Sequence, residues 1–183
     1  MFARICLPAL LGAAFLASTS QLMAAAPRGA SGEGKAWDPG LRYHSQSAGR
    51  RINHARDYVG GFRSYAAEAP KVVPMLGPEH VEEVSRNIVA AKKDLATVKK
   101  DANGDKDILT RVAAIEKHLD AATEQQKMMH DCCKEGADGT KTMECCESCM
   151  KHLDAAHKEH EALMKKIDPK AGNADKDHDH HQK

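Results

Sequence analysis

Cysteine, methionine and histidine side chains are concentrated between residues 128 and 152. This stretch contains five of the six cysteines in the chain. Thiolate, thioether and imidazole groups together are the ligand set of a soft metal ion. The candidate metal ligands form two groups separated by a short break: Met129, His130, Cys132, Cys133, Met143, Cys145, Cys146 and Cys149. We therefore expect the function of the chain to reside in this segment.

The spacing of the cysteines indicates which ion they would bind. Two residues separate Cys146 from Cys149, and this spacing lets two thiolates on one helical turn bind the same ion. The adjacent pair Cys132 and Cys133 offers the remaining ligands. Sulfur ligands select Cu(I) or zinc, and the nearby thioethers favour Cu(I). The pattern predicts copper(I) as the bound ion, with zinc as the alternative metal.

Disulfide bonds are the competing interpretation of the same cysteines. In an oxidising compartment, a bond between Cys133 and Cys146 or between Cys132 and Cys149 would join two predicted helices and stabilise the fold by roughly 3 kcal/mol. Against this, five cysteines leave one thiol over, and vicinal cysteines do not easily bridge within a pair. The alternative function is a disulfide-stapled helical structural or protein-interaction module without metal.

The first residues predict export. Arg4 provides a positive start, an apolar run follows from residue 5 to residue 17, and Ala24–Ala26 supply small residues for a signal peptidase. We interpret residues 1–26 as a secretion signal peptide, which would remove Cys6. The apolar run is too short to span a bilayer. The sequence therefore predicts a periplasmic or extracellular protein without stable membrane insertion.

Four segments carry apolar or small residues at alternating spacings of three and four, which is typical of helices that bury one stripe. The first stripe is Ile52, Ala55, Val59, Phe62, Ala66 and Ala69, and the second is Val81, Val84, Ile88, Ala91, Leu95 and Val98. The third is Ile108, Val112, Ile115, Leu119, Ala122, Gln126, Met129 and Cys133, and the fourth is Cys146, Cys149, Leu153, Ala156, His160, Leu163 and Ile167.

These stripes predict an all-α protein, an up-down-up-down antiparallel four-helix bundle over residues 47–168. Residues 27–46 are rich in Gly, Pro, Ser and charge and predict a flexible linker. Residues 169–183 predict a His-rich disordered tail. The short breaks between helices bring the end of the third and the start of the fourth to one pole, together with the turn before His80. Several thiolates are thereby expected to converge there.

Two further patterns concern histidines. If the last two helices pair around Met129 and Cys149, then His118 and His160 lie at similar heights, and a second metal site in the middle of the bundle is an alternative to solvated or core histidines. The sequence from Lys117 to Ala122 is repeated from Lys151 to Ala156. Two copies are too few for a solenoid, so we interpret them as a duplicated helix or a coincidence of composition.

Other classes of function lack support in the sequence. The 27 basic and 26 acidic residues are balanced, whereas nucleic-acid binding requires a basic footprint. Residues 101–105 resemble the start of a calcium loop, but Lys106 stands where the loop requires glycine, which favours a helix-helix turn. The chain contains no catalytic triad pattern, phosphate loop or paired-carboxylate pattern, so we expect no enzyme.

In architecture the chain resembles the four-helix copper-storage proteins, which place thiolates on inward helix faces. Those proteins repeat cysteines along the whole bore, whereas here the cysteines of the predicted mature chain lie within Cys132–Cys149 at one end. This difference argues against high-capacity storage.

Overall fold

The structure, a computed structural model, describes residues 38–133 and 137–169 apart from the side chain of Cys132. Its helices are α1 (Pro39–Glu68), α2 (Leu76–Asp101), α3 (Lys106–Cys133) and α4 (Gly139–Ile167). Helices α1 and α3 each pack against both α2 and α4, so the four form a ring around one core. These described ranges contain no β-strand. The predicted all-α four-helix bundle is confirmed.

The core consists of the four stripes that the sequence predicts. Every stripe residue from Val81 onward is buried, and so is the first stripe except for Ala69, which is partly exposed. Three buried members are polar or aromatic exceptions to the aliphatic pattern: Phe62, Gln126 and His160. The Gln126 side chain donates to the Val81 carbonyl oxygen across the α2–α3 seam. The buried side chains of Gln126 and His160 are thus satisfied by backbone carbonyl oxygens of neighbouring helices.

The first helix begins inside the segment that the sequence analysis interprets as a linker. Asp38 caps α1 by accepting a hydrogen bond from the Gly40 amide at 2.7 Å, and Pro39 takes the first helical position, where its missing N–H costs nothing. Leu41 and Ser45 are already buried. The predicted boundary at residue 46 therefore falls within α1, because the single apolar residue Leu41 and a good N-cap suffice to extend the helix.

Two connections meet at the pole that carries the cysteines. Residues 69–75 join α1 to α2 and lie against the start of α4: Lys71 forms an antiparallel bridge with Asp138, and the Val72 amide donates to the Ala137 carbonyl at 3.0 Å. Val72 is buried. These backbone contacts fix the beginning of α4 relative to the α1–α2 connection, as the topology predicted.

The opposite connection is a tight turn between α2 and α3. Asn103 and Gly104 have positive φ angles of 48° and 79°, a conformation that these two residues adopt readily. Asp105 then caps α3, since its carboxylate accepts from the amides of Asp107 and Ile108 at 3.0 and 3.2 Å. The prediction of a capped helix-helix turn in place of a calcium loop is confirmed.

Some predictions fall outside the described residues. These are the signal peptide at 1–26, most of the linker, and the tail beyond Pro169. Within the described part of the chain, no helix combines the length and apolarity needed to cross a bilayer.

Candidate metal centre

Four sulfur-bearing side chains are buried where the end of α3 meets the start of α4. Met129 and Cys133 come from the last two turns of α3, and Cys146 and Cys149 come from α4; all four have no exposed surface. We call this group the sulfur pole. Its members lie on the inward stripes of their helices because each continues the spacing of three and four.

A contact between two sulfur atoms of the sulfur pole joins α3 and α4. The Cys146 thiol donates to the thioether sulfur of Met129 at an Sγ–Sδ distance of 3.4 Å. The Cys149 thiol points to the backbone of α3 and lies 3.7 Å from the carbonyl oxygen of Ala122. The α3–α4 seam therefore brings the Met129 thioether to the Cys146 thiol, 17 residues later in sequence, and directs the Cys149 thiol to the backbone of α3.

A glycine on α2 makes room for the remaining cysteine. A Cβ atom added to Gly77 would lie 2.4 Å from the Cβ of Cys133 and 3.0 Å from its Sγ, closer than two such atoms can approach. The sequence pattern did not indicate that Gly77 is part of the site. The only signal was its place beside Pro78 at the start of α2, which indicates a helix start and does not indicate a contact.

The burial of the sulfur pole holds its thiols in the neutral form. Desolvation, together with the neighbouring thiols of Cys149, Cys133 and Cys145, raises the pKa of Cys146 to about 12, and Arg63 opposes this shift. Desolvation alone raises the pKa of Cys149 to about 12. A bare thiolate is therefore unfavourable here, and a cation that binds these sulfurs must replace their protons.

This pKa shift predicts a loss of stability at alkaline pH. The folded protein keeps the protons of Cys146 and Cys149 up to about pH 12, whereas the unfolded chain releases them near pH 9. The free energy of unfolding should therefore fall as the pH rises from 9 to 12. Urea titrations in a phosphine reductant at several pH values measure this.

The matched control for the alkaline effect is the double variant Cys146→Ser/Cys149→Ser. It should lose less stability across the same pH range, because its serines do not titrate there. Equal slopes for the wild type and the variant would show that other groups, such as lysines and tyrosines, cause the effect.

The remaining predicted ligands lie at the edge of the sulfur pole or away from it. Cys145 and Met143 are partly buried and pack against the core. His130 is placed in the groove between α2 and α3, with its Nδ1 atom 3.5 Å from an oxygen of Asp131. The side chain of Cys132 is outside the description. The structure thus gathers Met129, Cys133, Cys146 and Cys149, and it does not bring His130 to them.

The other methionines at this pole are not fully buried, in contrast to Met129. Met75 and Met128 are exposed, at 75% and 54% of their surface. Met150 packs toward α1, where its terminal methyl lies 3.4 Å from the position of a Cβ on Gly60. Met129 differs from these methionines because it is fully buried and its thioether accepts a hydrogen bond from the Cys146 thiol.

The predicted disulfides are not formed. Cys146 and Cys149 are free thiols, so neither the Cys133–Cys146 bond nor the Cys132–Cys149 bond is present. Among the described residues, no group of three or more Cys, His, Asp and Glu side chains is arranged as a metal site. The three described thiols of the sulfur pole therefore do not form such a group by themselves, and the contact that brings two sulfurs of the pole together is the one between Cys146 and Met129.

The mid-bundle histidines do not share a site as the sequence analysis considered. The Nε2–H of His160 donates to the Ser45 carbonyl at 2.7 Å, and burial lowers its pKa despite that bond. His157 lies 3.4 Å from Glu161, and Asp154 pairs with Arg56. His160 is thus a core histidine bonded to α1.

The ring nearest to His118 belongs to His152 and not to His160, with 6.3 Å between the ring centroids. The repeated sequence of residues 117–122 and 151–156 was the signal for this pair. It places one histidine at the same position in each of two antiparallel helices.

Comparison with known proteins finds no match for this chain. No protein-family model, no curated protein and no solved structure is similar to it.

Proposed function

We propose that the protein binds Cu(I) at the sulfur pole and sequesters or transfers the ion outside the cytoplasm. The observation that carries this proposal is the 3.4 Å contact between Cys146 Sγ and Met129 Sδ, with Cys133 and Cys149 buried beside it. The proposed location follows from the signal-peptide pattern of residues 1–26.

The separation of the two sulfurs is compatible with one ion between them. Ligands that bind an ion at about 2.3 Å in a tetrahedral arrangement are about 3.8 Å apart. Cys146 Sγ and Met129 Sδ, at 3.4 Å, are already close to that separation. Small side-chain rotations, without movement of the helices, would therefore suffice to bind the ion through this pair.

The chemistry of the ligands favours Cu(I) over zinc. A thioether such as that of Met129 is a soft ligand that suits Cu(I). The ion must also displace protons from thiols whose pKa is about 12, which requires a high affinity for thiolate. Because each bound thiolate releases a proton, the affinity should increase with pH.

Competition with a chromogenic Cu(I) chelator tests the proposal. The reduced wild-type protein should remove one Cu(I) from the chelator, and a variant with serine at all five cysteines after residue 26 should not. The far-UV circular dichroism of the variant should remain helical, because the stripes extend well beyond the sulfur pole. If the folded wild type leaves the copper with a weak chelator, the proposal is wrong.

The thioether ligand gives a separate prediction. Met129→Leu, which nearly preserves side-chain volume and costs under about 1.5 kcal/mol of stability, should weaken Cu(I) binding about tenfold while leaving zinc binding unchanged. Met143→Leu is the control, because Met143 is only partly buried, whereas Met129 is fully buried and accepts a hydrogen bond from the Cys146 thiol. Equal losses for both metals, or equal effects of both variants, would remove Met129 from the ligand set.

A thiol count distinguishes the disulfide alternative. Protein taken directly from its native compartment should react with a thiol reagent at four or five cysteines if they bind metal that is then removed by a chelator. A single reactive thiol would instead indicate two disulfides and would support the structural module.

A further inference from the structure

We propose that His118 and His152 form a second binding site, for a divalent transition-metal ion such as Zn²⁺, on the outer part of the α3–α4 seam. This site is separate from the sulfur pole and does not depend on it. His152 follows Cys149 by one helical turn, but its ring is partly exposed, whereas the thiol is buried.

The geometry of the pair suits one shared ion. The two ring centroids are 6.3 Å apart and the ring planes differ by 32°. In a tetrahedral arrangement, an ion bonded at about 2.0–2.1 Å to one nitrogen of each ring has the two centroids about 5 Å apart, which is about 1 Å closer than the two rings lie here. Rotation of the two side chains is therefore enough to bring both imidazoles to the ion, and water can complete its coordination from the open side.

The two imidazoles are also available. Within the described ranges, neither His118 nor His152 has a hydrogen bond or an ion pair to the protein. Two other histidines have protein partners: the Nδ1 atom of His44 lies 3.1 Å from Asp94, and the ring of His160 donates to the Ser45 carbonyl. A partly exposed imidazole with no protein partner can offer its lone pair to a borderline ion such as Zn²⁺.

The internal repeat explains why the two rings meet. Both copies bury the same leucine and alanine positions, which are Leu119, Ala122, Leu153 and Ala156. In each copy the aspartate forms an ion pair with a neighbouring helix: Asp120 pairs with Lys92 on α2, and Asp154 pairs with Arg56 on α1. The two copies thus have equivalent surroundings on antiparallel helices.

The repeat places His118 and His152 at equivalent positions of α3 and α4, and their rings lie next to each other. Asp120 and Asp154 form their ion pairs with α2 and α1 and not with the two histidines. The two imidazoles therefore lie at equivalent positions on the two helices. A shared ion would bind between them.

A double-mutant cycle tests the pair. The background is the full chain with its five later cysteines replaced by serine and with glutamine at His178, His180 and His181, so that thiols and tail histidines do not bind the probe. Zn²⁺ affinity is then measured by competition with a zinc chelator. His118→Gln and His152→Gln should each lower it about tenfold, and the double variant should lose no more than either single variant. His54→Gln, at an exposed position of α1, is the control and should have no effect.

The shared site would be contradicted if the losses of Zn²⁺ affinity in the two single variants add up in the double variant. It would also be contradicted if each loss is no larger than that of His54→Gln. A second measurement avoids the altered background. In the wild-type protein, the imidazole ring resonances of His118 and His152 should shift together as Zn²⁺ is added, while that of His54 stays in place. A shift of only one ring, or of neither, would also overturn the proposal.

Discussion

Replacing Cys146 with serine is expected to weaken Cu(I) binding about 100-fold or more. The Cys146 thiol contacts the Met129 thioether and is fully buried with Cys133 and Cys149, so its loss removes a ligand from the centre of the proposed site. A serine hydroxyl is a hard donor and cannot replace a thiolate for a soft ion. Competition of the reduced variant against a chromogenic Cu(I) chelator measures the loss.

Cys145→Ser is the matched control, because it makes the same chemical change at the adjacent residue. Cys145 is only partly buried and lies at the edge of the core, so its replacement should alter the affinity much less. Thermal melts followed by circular dichroism establish that both variants are folded. If the two serines had the same effect on copper affinity, the distinction between the buried and the peripheral thiol would fail.

Replacing Gly139 with alanine is expected to destabilise the protein by about 3 kcal/mol, at the upper end of the usual cost of overpacking. A Cβ atom at this position would lie 2.1 Å from the carbonyl oxygen of Ala69 and 2.4 Å from that of Ala66. Both are backbone atoms at the end of α1, so no side-chain rotation can relieve the contact. Urea unfolding followed by circular dichroism measures the change in the free energy of unfolding.

Gly61→Ala is the control for this substitution. A Cβ at Gly61 would have no heavy atom within 4 Å, and the residue is exposed inside α1. Alanine should therefore stabilise the helix there by up to about 1 kcal/mol through its higher helix propensity. Similar stability of the two variants would contradict the close packing of α4 on the end of α1.

The fold was predictable because one physical pattern dominates the chain. Spacings of three and four among apolar residues recur in four long segments, and the same residues form the observed core. The start of α1 was harder to predict, since it depends on the cap at Asp38 and on Leu41, within a segment whose Gly and Pro content indicates a linker. The composition of a segment averages over such local features, whereas a single capping residue can determine where a helix begins.

The candidate site was predictable only where it follows the helical period. Cys133, Cys146, Cys149 and Met129 continue the inward stripes and are buried as the period requires. His130 comes directly after Met129 in sequence, but the helical period turns it toward the α2–α3 groove. Closeness in sequence therefore did not translate into closeness in space.

The spacing of apolar residues did not predict which residues of different helices are in contact. The contact of Gly77 with Cys133 depends on the register of α2 against α3, and the meeting of His118 with His152 depends on the register of α3 against α4. Each helix carries its own periodicity, but periodicity does not fix how far two helices slide along each other. The internal repeat was the only feature of the sequence that contained such information.

The most direct test of the proposed function is X-ray absorption at the copper edge, on reduced wild-type protein that carries one equivalent of Cu(I). Coordination by Cys133, Cys146, Cys149 and Met129 predicts sulfur neighbours alone, at about 2.3 Å. It also predicts that the sulfur signal decreases in Cys146→Ser. A first coordination sphere of nitrogen or oxygen atoms, or a spectrum that Cys146→Ser leaves unchanged, would contradict Cu(I) binding at the sulfur pole.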